Sequence, residues 1–168
     1  MKPVTFAAPN HIISVSTVKA KFGFKKDYLT VQKNGYVVFE FIPMVFKELE
    51  KRNQLLWQDK DSFILDFRRS AELLMIDLKS KEEYFIDFTS DRVPKKRLKI
   101  YGGDTNAITF EYESEINSKN VKLVNEISKP EFLILQKLID YSIPYMLGWH
   151  VLGSNKVPEE DILKTEEN

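Results

Sequence analysis

The segment from Ser128 to His150, SKPEFLILQKLIDYSIPYMLGWH, reads as a helix with too little polar surface to stand alone, and this constrains the fold of the whole chain. It opens with a capping box: Ser128 is placed to accept from the backbone N–H of Glu131, and Glu131 to reach back to the cap. Pro130 sits in the first turn, where its missing N–H would go unpaired anyway. Phe132, Leu135, Leu138, Ile139, Ile143 and Met146 recur at helical spacing, while Gln136, Lys137 and Asp140 form only a narrow polar stripe. Such a helix must be covered by a sheet or by another subunit. Pro144 removes the bond back to Asp140 and predicts a kink.

The chain upstream supplies strands to cover it. Val18, Ala20, Phe22 and Phe24 alternate with Lys19, Lys21 and Gly23, one face apolar and the other basic. Residues 28–31 and 36–42 flank Lys33-Asn34-Gly35, whose Asn-Gly pair predicts a hairpin because both positions accept positive φ. Phe63, Leu65 and Phe67 alternate in a further strand, and residues 71–78 follow as a short helix or irregular connection. Tyr84, Ile86 and Phe88 begin another strand. Residues 98–101 and 107–114 form a second hairpin around Gly102-Gly103-Asp104, and Val121, Leu123 and Ile127 mark a last strand. Residues 46–56 read either as a helical turn or as an insertion between strands. Eight strands, with a helical segment late in each half, predict an α+β fold of two four-stranded antiparallel sheets packed with helices. Residues 1–152 form this domain. Residues 153–168 are acidic, lose their periodicity and are expected to form a mobile tail.

The 168 residues carry 25 basic and 25 acidic side chains, a zero balance that counts against a uniformly basic binder. The charges are segregated, however. Five lysines (Lys2, Lys19, Lys21, Lys25 and Lys26) precede the first acid, Asp27, and Arg92, Lys95, Lys96, Arg97 and Lys99 form a second run. Residues 156–168 hold five acids and two lysines, so the chain without them carries +3. A basic face on a neutral protein is therefore allowed. The absence of cysteine excludes disulfides, thiol catalysis and cysteine-ligated zinc. No apolar run approaches the roughly 20 residues that span a bilayer, and no membrane partner is expected. His11 and His150 are the only histidines and neither sits in a metal-ligand or triad pattern. Glu111, Glu113 and Glu115 alternate with Phe110 and Tyr112 and read as a solvated strand face. The expectation is a protein that is not an enzyme and holds no metal and no cofactor.

The lysine/proline-glutamate-phenylalanine start of the last helix, its internal Pro144 and its Gly148-Trp149-His150 end resemble the C-terminal helix of the Whirly family, single-stranded-DNA-binding proteins best known from plant organelles. Residues 33–43, KNGYVVFEFIP, are similar to the family's lysine-aspartate-glycine-phenylalanine hairpin and the apolar strand after it. Trp57, Lys60, Phe63 and Leu65 keep the family's spacing, as do Glu83, Phe85 and Asp87, and Lys96 and Leu98-Lys99 resemble the lysine-rich strand that follows. Residues 19–24, KAKFGF, stand where the family has Lys-Gly-Lys-Ala-Ala-Leu, and match it in both lysines. The resemblance covers residues 18–152. It implies a tetramer, homomeric or formed with a paralogue, with the C-terminal helices at its centre, and an organellar address. A mitochondrion is expected, with a presequence removed. Kinetoplastid mitochondrial RNA-binding proteins share the fold.

Binding a single strand without sequence preference needs a basic track for phosphates and aromatic faces for bases. The candidate contacts are Lys19, Lys21, Phe22, Phe24, Tyr28, Lys33 and Tyr36, with Lys95, Lys96 and Lys99 extending the track. For each aromatic the competing reading is burial; Phe63, Phe85 and Trp149 are assigned to packing. The candidate oligomer interface is Phe132, Leu135, Leu138, Ile139, Tyr145 and Trp149. The expected function is single-stranded DNA or RNA binding in genome maintenance, transcription or RNA processing. The alternative is a structural subunit of a larger organellar assembly that keeps the fold and binds nucleic acid weakly or not at all.

Overall fold

The computed structural model of the protein describes residues 3–25, 28–80, 82–90, 94–103, 105–116 and 119–151; the acidic segment 153–168 lies outside them. In chain order come strands β1 (Val4–Ala7), β2 (His11–Val18), β3 (Lys21–Lys25), β4 (Tyr28–Lys33), β5 (Tyr36–Lys47), β6 (Arg52–Leu55) and β7 (Asp61–Leu65), then helix α1 (Phe67–Leu74). Strands β8 (Tyr84–Ser90), β9 (Lys96–Gly102), β10 (Ala107–Ile116) and β11 (Lys119–Ser128) lead into helix α2 (Lys129–Met146). The first sheet runs β1-β2-β5-β6, with β7 also paired to β5, and the second is the antiparallel meander β11-β10-β9-β8.

The architecture is α+β with two antiparallel sheets, as the alternation predicts, but the first sheet has five strands instead of four. The additions are short. β1 offers the buried Phe6 and the partly buried Val4 to the core, and β6 exists because β5 runs on past Pro43 and folds back through a turn at Lys51, which takes a φ of 48°. Residues 46–56 are thus the insertion between strands. The Asn34-Gly35 hairpin is not formed. β4 pairs with β3 in a separate two-stranded ribbon, Val18 of β2 lies opposite Tyr36 of β5, and neither Asn34 nor Gly35 has positive φ. The ribbon is an excursion inserted into a β2–β5 hairpin. Gly35 serves a close approach instead: a Cβ there would stand 2.8 Å from Met146 Cα.

The inner faces of both sheets close over α2. Val37, Phe39 and Phe41 of β5, Leu98 and Ile100 of β9, and Phe110 and Tyr112 of β10 meet Phe132, Leu135 and Ile139 in one core. Burying each such side chain stabilises the fold by about 1.5–3 kcal/mol. Phe41 stacks on Tyr112 with centroids 4.0 Å apart, and the Tyr112 hydroxyl donates to Asp61 at 2.5 Å. Lys96 bonds the other oxygen of Asp61 and the Ser62 carbonyl, so a polar tie joins β7 to the second sheet. Burial alone would raise the Asp61 pKa; the bonds from Lys96 and Tyr112 outweigh it and hold it below the ordinary value. Burial first, and then the bond to Asp61, push the Tyr112 hydroxyl up.

Both helix caps follow from sequence. Asp66 accepts from Arg69 N–H at 2.9 Å and starts α1 four residues earlier than the apolar spacing implies. Ser128 and Glu131 form the reciprocal box, and α2 continues through Pro144 to Met146. Gln136 is not part of a solvated stripe. Its amide is buried and donates to the carbonyls of Leu73 and Ile76 at 2.8 and 2.9 Å, which ties α2 to the end of α1.

Candidate nucleic-acid interface

Strand alternation that sends Val37, Phe39 and Phe41 inward sends Tyr36, Val38 and Glu40 to the outer face of the first sheet. Across the strands the rows are Ser14, Glu40 and Ser62; then Ser16, Val38 and Ile64; then Val18 and Tyr36. Glu40 is the one charged side chain in these rows, and Lys60 holds it at 2.5 Å. Ile64 is 47% exposed and Val38 and Tyr36 are half-buried. This face is flat and nearly uncharged.

It ends at the ribbon. β2 stops at Val18, Lys19 lies in the crossing segment, and Lys21 opens β3 directly opposite Lys33 of β4. Like charges directly opposed destabilise a strand pair, and an anion between them relieves the repulsion. Lys33 is exposed, whereas Lys19 and Lys21 are half-buried and each holds a further interaction. The ribbon is clamped to the end of α2: Ala20 N–H donates to the Tyr145 carbonyl at 2.9 Å and Gly35 N–H to the Met146 carbonyl at 2.8 Å. Gly148, at φ +76°, lets the chain pass under it, since a Cβ would come within 3.0 Å of Val31 and the Phe22 ring. The His150 ring stacks on Tyr145 and meets Phe22 edge-on.

The outer face of the second sheet is built differently. Its rows are Phe85, Tyr101, Thr109 and Glu126; Asp87, Lys99, Glu111 and Val124; and Thr89, Arg97, Glu113 and Lys122. Arg97 grips Asp87 through Nε at 2.8 and 3.0 Å and through a guanidinium nitrogen. Lys99 lies 2.5 Å from Glu111 and 3.4 Å from Glu113, and Lys122 adds a contact of 2.9 Å to Glu111. The hydrogen bond from Arg97 holds Asp87 below the ordinary carboxylate range, and the bonds from Lys99 and Lys122 do the same for Glu111. Among the described residues this face carries more carboxylates (Asp87, Glu111, Glu113, Glu115, Glu126) than cations.

A second apolar stripe runs along α2, away from the core. Ile134, Leu138, Tyr141 and Tyr145 recur every three or four residues; Ile134 is 55% and Tyr141 62% exposed, Leu138 and Tyr145 are half-buried, Leu138 against the core, and Trp149 continues the patch past the helix end.

The family model described as Whirly transcription factor matches residues 10–138. This chain belongs to the Whirly family. It is 26% identical to the chloroplastic single-stranded DNA-binding protein WHY1 of Zea mays and 20% identical to that of Solanum tuberosum, each over 137 residues. The match takes in 77% of this chain but about half of each relative, 50% and 48%. Among solved structures, Arabidopsis thaliana WHY1 superposes with a TM-score of 0.71 at 18% identity, covering 92% of this chain and 96% of that one. The plant transcriptional regulator PBF-2 gives 0.72 at 20%, covering 94% and 88%. A guide-RNA-binding protein complex bound to its RNA gives 0.56 at 12%, covering 91% and 92%. These likenesses are of fold.

Within this Whirly fold the sequence-derived site residues separate into two groups. Lys19, Lys21, Lys33 and Tyr36 gather where the first outer face meets the ribbon. Phe22 does not join them: it is 3% exposed, walled in by Ala20 and Val151, and is a packing residue. The side chains of Phe24 and Tyr28 lie outside the described residues. Lys96 and Lys99 are each engaged by carboxylates, Lys96 by Asp61 across the sheets and Lys99 by Glu111 and Glu113. Among the described residues of that run, Lys95 alone is exposed. The expected oligomer face is likewise redrawn. Phe132, Leu135 and Ile139 are fully buried in the chain's own core and Leu138 is half-buried against it, while Trp149 and the half-buried Tyr145 remain on the outward stripe, with Ile134 and Tyr141 added. Phe85 is exposed rather than packed, and strand parity signals it, because Tyr84, Ile86 and Phe88 take the inward positions.

Proposed function

We propose that this Whirly chain binds single-stranded nucleic acid, DNA in the first place, with little sequence preference, and that it does so by binding rather than catalysis. The observation that carries this reading is the outer face of the first sheet, uncharged but for the Glu40–Lys60 pair, ending at the opposed lysines Lys21 and Lys33. An uncharged face accepts bases and sugars without desolvating ions, and lysines at its margin neutralise the phosphates that follow. The names of the WHY1 relatives, which state single-stranded DNA binding and a chloroplastic address, support the ligand and an organellar location. The mitochondrion is the finer proposal, tested by the location of a fluorescent fusion of the full-length protein. The guide-RNA-binding neighbour makes RNA the second ligand to try.

Assembly is part of the proposal. The stripe of Ile134, Leu138, Tyr141 and Tyr145 leaves apolar surface that a second copy covers, and a tetramer, homomeric or with a paralogue, brings several ribbons together. Replacing Ile134 and Tyr141 with glutamate should yield a smaller species in light scattering with an unchanged circular dichroism spectrum; unchanged size would place the interface elsewhere.

Anisotropy titration of a labelled oligothymidylate and its RNA counterpart, at about 50 and 200 mM salt, tests the binding itself. Two to four phosphate contacts give a log–log slope of roughly −1.5 to −3 for a single strand. No binding at either salt would overturn the reading and leave a structural subunit.

A further inference from the structure

A run of four rings joins the outward stripe of α2 to the lysine ribbon. Tyr141, 62% exposed, lies beside Tyr145 with ring centroids 5.5 Å apart and hydroxyls 3.2 Å apart. Tyr145 stacks on His150 at 4.9 Å, and His150 meets Phe22 edge-on at 5.8 Å. Phe22 follows Lys21 on β3 and is 3% exposed. It stands outside the main core: with Ala20 and Val151 it forms a separate small cluster. The ribbon therefore takes its seat from the end of α2 and the turn after it, through these rings and through the bonds to the Tyr145 and Met146 carbonyls.

That end of α2 is the part of the helix least held by its own backbone. Pro144 has no N–H to return to the Asp140 carbonyl, so the last turn is one bond short where the ribbon is tied to it. Tyr141 and Tyr145 lie on the stripe proposed to meet a second copy, and a copy seated there fixes both rings. We infer that assembly along α2 sets the ribbon: the ring series Tyr141–Tyr145–His150–Phe22 carries the contact between copies to Lys21, with His150 as a positioning residue in its middle, a reading that rests on the proposed single-strand binding and names how that site is regulated. Rings already held by a neighbour need no ordering when the strand arrives, so strand and second copy favour each other. The coupling is reciprocal: assembly tightens strand binding by the same factor as the strand tightens assembly.

The test uses the full chain and a labelled oligothymidylate too short to bridge two chains, which removes any gain from multivalency. In the parent, binding should be about 5- to 150-fold tighter above the assembly midpoint than below it, and the oligothymidylate should tighten assembly in light scattering by the same factor. Ile134→Glu, roughly two turns before Tyr141, breaks the stripe without touching the rings; it should be smaller and bind with the weaker constant. His150→Leu should keep the parent's melting temperature and size, lose affinity by the same factor and flatten the salt slope by about one unit. His150→Phe keeps a ring and should stay within about twofold of the parent. Ile134→Glu with His150→Leu should be no weaker than either alone, because both cut one route. Losses that multiply, a His150→Leu that binds like the parent, a His150→Phe as weak as His150→Leu, or an Ile134→Glu of parental size would each overturn the inference. So would a parent that binds the strand equally at every protein concentration; that result needs no variant to fold, and it leaves the binding function standing. A parent that binds nothing removes both the function and the coupling.

Discussion

The two outer sheet faces of this molecule come from the same alternating pattern and arrive at opposite surfaces. The first keeps one ion pair, Glu40–Lys60, among serines, valines, Tyr36 and Ile64. The second is a ladder in which Arg97, Lys99 and Lys122 are shared among Asp87, Glu111 and Glu113. The basic run at 95–99 is the denser in sequence, yet its Lys96 and Lys99 are committed to carboxylates, whereas on the sparser ribbon Lys21 stands opposite the exposed Lys33. Charge density along a chain is therefore a poor guide to charge available for a ligand. What counts is whether the cross-strand neighbour is a carboxylate or another lysine.

The largest effect should come from putting carboxylates on the uncharged face. Val38→Glu with Ile64→Glu should lower oligonucleotide affinity by roughly 10²–10³-fold at low salt, since like charges juxtaposed at an interface cost several kcal/mol. Val124→Glu on the second face should change it by less than about threefold; equal losses would erase the distinction between the faces. Next in size is Lys21→Ala with Lys33→Ala, expected to weaken binding of every sequence and flatten the salt slope by about one to two units. Lys99→Met sharpens the contrast from the other side. It leaves the nearly buried Glu111 with Lys122 alone and should lower the melting temperature by a few degrees, with no change in salt slope. A flatter slope in Lys99→Met would mean that the ladder does meet phosphate.

The smallest effect is read against pH. His11, buried on β2 of the first sheet, has its pKa lowered from 6.5 by burial. The unfolded chain therefore takes up that proton first, and stability falls as pH drops below about 6.5 toward the folded value. Asp61, Asp87 and Glu111 have lowered folded values, so their contribution is present above about 4 and is lost as pH falls through them. Denaturant midpoints between pH 7 and 3 should decline in two stages, and His11→Asn should lack the upper one. A parent profile flat above pH 5 would contradict the buried neutral histidine.

Local signals carried most of the fold. The Ser128–Glu131 box, the β9–β10 turn at Gly102-Gly103 and the alternation of β10 and β11 are legible because their partners lie within a few residues or one hairpin. The failures share a cause at longer range. Gly35 resembles a hairpin glycine, yet Met146, from the other end of the chain, decides its role. Lys96 and Lys99 declare a charge but not that Asp61 and Glu111 will neutralise it. Helix α2 has two apolar stripes, and spacing alone does not say that Phe132, Leu135 and Ile139 face the sheets while Ile134 and Tyr141 face outward. Phe85 was decipherable from parity within β8, before any tertiary contact.

The clamp between the ribbon and α2 has an evolutionary consequence. The ribbon leaves the hairpin of β2 and β5 at Ala20 and returns at Gly35, and both ends are tied to consecutive carbonyls, Tyr145 and Met146. Whatever lies between is a cassette with fixed terminals. It can exchange its lysines while Val18 stays opposite Tyr36 and the sheet keeps its register. A lineage can thus retune what its members grip without renegotiating the core, and chains that differ most between those two anchors should still fold alike.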